Sequence, residues 1–140
     1  MYTLKTRSGF DSAHFLKGYD GKCSNIHGHH WSVEIIVGSD KLSDDIQTRG
    51  MVVDFSELKK DLRDITGELD HSLIIERGSL KEKTMEALSE EDFKIVELNM
   101  RPTAENFAKY FFDCMSTKGY RVIEATVYET KNNCASYREN

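Results

Sequence analysis

The chain has 140 residues, 39% of them hydrophobic and 31% charged, with a single proline. That size suits one domain with its own core, spanning residues 1–140, and the composition excludes disordered, collagen-like and proline-rich classes. Nineteen basic against twenty-four acidic side chains give a net charge of −5, which argues against nucleic acid as a partner but leaves room for a small anionic ligand.

Residues 2 to 14, rich in Thr, Ser, Phe and Tyr, read as a strand. A loop with Gly18, Asp20, Gly21, Ser24 and Asn25 follows. From His27 to Val37 the pattern alternates: His27, His29, Trp31, Val33, Ile35 and Val37 share one face, and Gly28, His30, Ser32, Glu34 and Ile36 the other. Asp54 with Glu57 three residues on predicts a capping box. Phe55, Leu58, Leu62, Ile65 and Leu69 then mark an amphipathic helix of about three turns. Residues 77 to 93 are charged and weakly patterned, a surface excursion with at most a short helix. Residues 95 to 99 read as a strand. A second main helix follows Pro102, with Thr103 as N-cap, an apolar stripe of Phe107, Tyr110, Phe111, Cys114 and Met115, and Gly119 at its end. The last strand covers 120 to 130. This order predicts an α+β fold with helices on one face of an antiparallel sheet, the other face being covered by oligomerisation.

No stretch approaches the ~20 apolar residues of a membrane span, and the first residues lack a signal-peptide pattern. With three cysteines, an odd number, the expectation is a reduced cytoplasmic protein without disulfides or membrane association.

Two apart on a strand, His27 and His29 point the same way, and a neighbouring strand can add His14. Three nitrogen ligands with a fourth position open suit catalytic Zn²⁺. His30 points to the opposite face and is no ligand. Cys23, four residues before His27, is either the fourth ligand of a closed structural site or a reactive thiolate beside an open one. Cys114 belongs to the core, and Cys134 has no assigned role. Asp70-His71 can form a carboxylate–imidazole proton shuttle. Glu129 extends the apolar face of Ile123, Ala125 and Val127. It is either a solvated strand end or the acceptor of two N–H donors from a flat heterocycle.

Phe10-Asp11-Ser12-Ala13-His14 followed by Cys23-Ser24-Asn25-Ile26-His27-Gly28-His29 resembles the signature of the 6-pyruvoyl- and 6-carboxy-tetrahydropterin synthase family. Met51 to Lys59, Leu69-Asp70-His71, Pro102-Thr103-Ala104-Glu105-Asn106 and Glu129-Thr130 match in the same order. The resemblance implies a tunnelling fold, a four-stranded antiparallel sheet with two helices on one face, assembling into β-barrel oligomers, a homohexamer built as a dimer of trimers. It also implies that His14, His27 and His29 hold zinc, that Cys23 is the general base, and that His71 with Asp70 is the second acid–base group. Glu129 would anchor the pterin ring and serve the proton relay, while Thr103 and Glu105 help to seat the pterin.

Three residues between Cys23 and His27 resemble the bacterial 6-carboxy subfamily of queuosine biosynthesis. The implied enzyme is a zinc-dependent carbon–carbon lyase converting 7,8-dihydroneopterin triphosphate to 6-carboxytetrahydropterin, acetaldehyde and triphosphate. Lys17, Lys22 and Arg101 are candidates to meet the triphosphate. Two alternatives stay open: 6-pyruvoyl-tetrahydropterin synthesis without carbon–carbon cleavage, and a non-catalytic zinc-stabilised module.

Overall fold

A computed structural model describes residues 1–140. Nine elements follow in chain order: β1 (Tyr2–His14), β2 (His27–Ser39), α1 (Phe55–Leu69), β3 (Ser72–Glu76), α2 (Glu82–Glu90), β4 (Ile95–Leu98), α3 (Ala104–Thr117), β5 (Val122–Tyr128) and β6 (Cys134–Tyr137). One six-stranded sheet runs β4-β3-β1-β2-β5-β6. The long hairpin β1–β2 lies at its centre, and β2–β5 and β5–β6 are also antiparallel. β3 joins β1, and β4 joins β3, in parallel.

The sheet is therefore mixed and six-stranded rather than four-stranded and antiparallel. Four strands do form an antiparallel unit, but they are β1, β2, β5 and β6; the 95–99 segment instead becomes β4, on the parallel edge. That difference follows from α2, which is the crossover a parallel β3–β4 pair requires. There are accordingly three helices, not two. No helix is long and apolar enough to cross a membrane.

The alternation in β1 and β2 directs Phe10, Trp31, Val33, Ile35 and Val37 into one core with Leu58, Leu62, Ile65 and Leu69 of α1 and Phe107, Phe111 and Met115 of α3. Ala125 and Val127 of β5 complete it. Local signals explain the helix ends. Asp54 caps α1 by accepting from the Ser56 N–H (2.7 Å), without a reciprocal bond from Glu57, so the cap is a simple one rather than a box. α1 is four turns long, and its first residue, Phe55, is 64% exposed instead of joining the stripe. Thr103 caps α3 through the Asn106 N–H, and Gly119 follows with φ +99°, a conformation suited to glycine.

The face away from α1 and α3 is polar. Glu34 is buried there between Arg7 (2.6 Å) and Lys5 (3.3 Å), and Glu124 pairs with Arg138 (2.6 Å). Its charges are already paired within the chain.

Candidate functional site

The β1–β2 register sets His14 opposite His27, and Ser12 opposite His29. Alternation then brings all three imidazoles to the helix-covered face. Their ring centroids lie 4.5 Å (His14–His27), 5.2 Å (His14–His29) and 4.9 Å (His27–His29) apart. Trp31, fully buried, meets His14 and His29 edge-on and stacks on Phe10, giving the group an apolar floor.

Main-chain carbonyls fix two of these rings. His14 donates Nδ1–H to the Pro102 carbonyl (2.7 Å), just ahead of α3, and His27 donates Nδ1–H to the Asn25 carbonyl (2.7 Å). A carbonyl only accepts, so in the neutral rings both Nε2 atoms carry lone pairs. Those two atoms face each other at 3.1 Å. Burial pushes the His14 imidazole below its ordinary pKa, which favours this neutral form. Burial also lowers the His29 pKa, partly offset by Glu129. His29 Nε2 is buried with no hydrogen-bond partner. Glu129 Oε1 comes within 2.9 Å of it, but the approach is not aligned as a hydrogen bond.

Two converging lone pairs, those of His14 and His27 Nε2, thus lie beside the Glu129 carboxylate and the His29 ring. A cation would satisfy all of them at once. The donor types, three imidazoles and one carboxylate within 4.8 Å of one another, fit Zn²⁺. Carbonyls gripping the opposite ring nitrogens are the usual support for metal-bound histidines.

A second group forms around Asp70. Its Oδ1 accepts the Asp11 N–H (2.8 Å) and its Oδ2 accepts His71 Nδ1–H (2.9 Å). The Asp11 N–H foremost, and then His71, hold the Asp70 carboxyl below the ordinary range. The Asp11 carbonyl accepts the His71 N–H (2.7 Å), and Asp11 Oδ1 accepts His30 Nδ1–H (2.7 Å). His71 adopts φ +54°, unusual for a residue with a side chain. Asp11 and His30 point to the sheet face opposite Ser12 and His29. They border a groove of about 700 Å³ that also has His71, Leu73, Leu88 and Phe93 in its walls.

Within one chain, then, Asp70–His71 and the three histidines are two separate groups. Cys23, half-buried, sits in an otherwise exposed 3₁₀ turn, Lys22–Ser24, and its thiol is outside the metal-binding group. The fourth donor of that group is the Glu129 carboxylate. Thr103 serves as the α3 cap, and Glu105 is exposed in its first turn. Arg101 donates to the Lys17 carbonyl and lies over the Tyr19 ring. Sequence reasoning did not connect Asp11 and His30 to His71. Their directly opposed register was the available signal.

The sequence model of the family described as 6-pyruvoyl tetrahydropterin synthase matches residues 3–140. The chain belongs to that family. Among its relatives named 6-carboxy-5,6,7,8-tetrahydropterin synthase, one from Rickettsia bellii is 35% identical, covering 94% of this chain and 96% of its own. Another, from Haemophilus influenzae, is 28% identical over 99% of this chain and 100% of its own. The fold matches an uncharacterised protein from Wolinella succinogenes (TM-score 0.78, 19% identity, 99% and 98% coverage). It also matches the 6-pyruvoyl tetrahydropterin synthase of Caenorhabditis elegans (TM-score 0.68, 24% identity, 99% and 96% coverage).

Proposed function

We propose that this family member is a zinc-dependent 6-carboxy-5,6,7,8-tetrahydropterin synthase. It would convert 7,8-dihydroneopterin triphosphate and water to 6-carboxytetrahydropterin, acetaldehyde and triphosphate, in queuosine biosynthesis in the cytoplasm. The observation that carries the zinc centre is the pair of carbonyl-fixed histidines whose Nε2 lone pairs converge at 3.1 Å. The names of the relatives support the choice of product.

His14, His27 and His29 would hold zinc, which would supply a Lewis acid for a substrate side-chain oxygen and so make the adjoining C–H more acidic. Cys23, as thiolate, removes that proton. Asp70 binds His71 Nδ1–H and so directs the other ring nitrogen outward to exchange a proton at the far end of the rearranging side chain. Glu129 accepts N–H groups from the pterin ring, while Thr103 and Glu105 border it at the start of α3. Because Asp70–His71 stands apart from the histidines, the reading calls for a homo-oligomer, a dimer of trimers, in which one copy completes the site of the next.

Incubating the zinc-loaded protein with 7,8-dihydroneopterin triphosphate tests this. Acetaldehyde with a 6-carboxy pterin is the expected result. A 6-pyruvoyl product would overturn the cleavage step, and no turnover by zinc-loaded oligomer would overturn the enzyme reading.

A further inference from the structure

α1 ends without a basic residue in its last turn, although the final carbonyls of a helix need donors. Ser72 donates its hydroxyl to the Leu69 carbonyl (2.6 Å). Lys94 comes in from outside the helix, and its ammonium donates to the Gly67 carbonyl (3.2 Å) and the Asp70 carbonyl (2.9 Å). Lys94 follows α2, after Asp92 has turned the chain at φ +61°, and its own carbonyl accepts the Leu73 N–H (3.0 Å). The charged excursion between β3 and β4 thus returns a cation to the end of α1.

The Asp70 carbonyl belongs to the same peptide group as the His71 N–H, which donates to the Asp11 carbonyl (2.7 Å). That group is gripped from both sides, by an ammonium on its oxygen and a carbonyl on its nitrogen. Its orientation decides the backbone angle of His71, φ +54°, which a residue with a side chain keeps only where its surroundings impose it. The Asp70 carboxylate is gripped as well, by the Asp11 N–H (2.8 Å). Two of these three grips come from the β1 main chain, and Lys94 supplies the third from a side chain. The Asp11 N–H and His71 do most to hold the Asp70 carboxyl low, and the Lys94 charge adds to them.

We propose that Lys94 is a positioning residue for His71: by holding the Asp70–His71 peptide group it aims the imidazole that exchanges a proton with the substrate. This rests on the acid–base reading of Asp70–His71 above. Lys94 itself touches no reacting atom. Without its grip the Asp70 carbonyl is free to swing, and His71 relaxes toward negative φ. The bond between the Asp70 and His71 side chains does not prevent this, because adjoining residues can move together. The excursion over 77–93 thereby has a task, which is to carry the lysine to the couple.

The test compares the intact zinc-loaded protein with Lys94→Met, which keeps the stem and removes the donors, and Lys94→Arg, which keeps charge and donors. With 7,8-dihydroneopterin triphosphate, Lys94→Met should lose ~10–100-fold in kcat, the order expected of a misaimed group. Its KM and zinc content should stay those of wild type, and Lys94→Arg should recover most of the loss. A second measurement needs no turnover. The His71 amide, held by Asp11, should exchange its hydrogen at least ~10-fold faster in Lys94→Met, while the amides between β1 and β2 keep their protection. Unchanged kcat together with unchanged His71 exchange in Lys94→Met would overturn the proposal. So would a loss of kcat that Lys94→Arg does not relieve, or one that leaves His71 exchange slow. His71→Ala separates the two levels. If it turns over like wild type, the acid–base reading itself is refuted and the role of Lys94 with it; if it is inactive, failure of the Lys94 variants to behave as stated refutes the positioning role alone.

Discussion

His14 and His27 each commit Nδ1–H to a main-chain carbonyl, so the site is set by backbone as much as by ligand identity. This explains why a motif of two histidines and a distant third reads well from sequence: alternation aims the rings, and the hairpin register sets their spacing. The same alternation turns His30 to the opposite face, where it meets Asp11. It says nothing of Glu129 as a donor beside His29, because that placement depends on where β5 ends against β2. At this scale Cys23 separates a thiolate base from a structural ligand. Its thiol is outside the metal-binding group, so Cys23→Ala should keep one zinc per chain and an unchanged melting curve. Turnover should fall by at least ~10²–10⁴-fold, the range for a positioned acid–base group. Metal analysis and a melting curve check the first part, and product formation the second. Zinc loss with unfolding would make Cys23 a ligand instead.

Glu34 offers a pH-dependent prediction. Burial pushes its carboxyl up, but the hydrogen bonds and charges of Arg7 and Lys5 outweigh this and hold the pKa below the ordinary value. A carboxyl depressed in the fold stabilises it fully above the unfolded-state pKa, and that contribution is lost as the pH falls through the folded pKa. Glu34→Gln should therefore lower stability at pH 7 by about 1 kcal/mol, since both cations are over half exposed. The difference from wild type should shrink as the pH falls below the carboxylate range. Thermal melts at pH 7 and pH 3 measure it; a pH-independent difference would sink the ion-pair explanation.

Among the elements, α3 links packing to chemistry. Phe107, Phe111 and Met115 are fully buried against the sheet, and the residue before its cap, Pro102, grips His14. Phe111→Ala should cost ~3–5 kcal/mol by opening a cavity in the core, read as a lowered denaturation midpoint. Thr103→Ala should cost only about 1 kcal/mol. It should nevertheless weaken zinc binding measurably, because the chain that presents the Pro102 carbonyl frays with the helix; unaltered zinc affinity would count against that coupling. The periodicity of Leu58, Leu62, Ile65 and Leu69, like that of Phe107, Phe111 and Met115, made both main helices legible. β3 and β6 were not, and for different reasons. Ser72–Glu76 has only three apolar residues, Leu73 to Ile75, with no alternation, since Ile74 and Ile75 are both buried. Cys134–Tyr137 is a four-residue edge strand whose pairing to β5 carries no local signal. Asp54 and Thr103 were readable as caps because each cap is made within three residues.

For the whole molecule, the arrangement of the two chemical groups matters most. His14, His27 and His29 face the helices, whereas Asp70–His71 is tied to the Asp11 main chain at the β1–β3 edge. If one copy completes another's site, two inactive variants should rescue each other. Co-refolding equal amounts of His29→Ala and His71→Ala should restore up to about a quarter of wild-type activity, because in a random ring one junction in four unites two intact halves. Activity that never exceeds the sum of the separate variants would place the whole site within one chain. Which copy meets which could not be read from this sequence, since the open face bears paired charges rather than an apolar stripe that names its partner.

The neighbouring residues His29 and His30 make the centre a reporter of correct pairing. A slip of β2 by one residue would turn Gly28 and His30 toward the helices and carry both His27 and His29 away. A misregistered chain could still collapse, with much of its secondary structure intact, yet it would present one imidazole from β2 where two are needed. Metal uptake thus audits the folding of the hairpin. In a preparation of mixed quality, the fraction that retains zinc through dialysis should count the correctly threaded molecules.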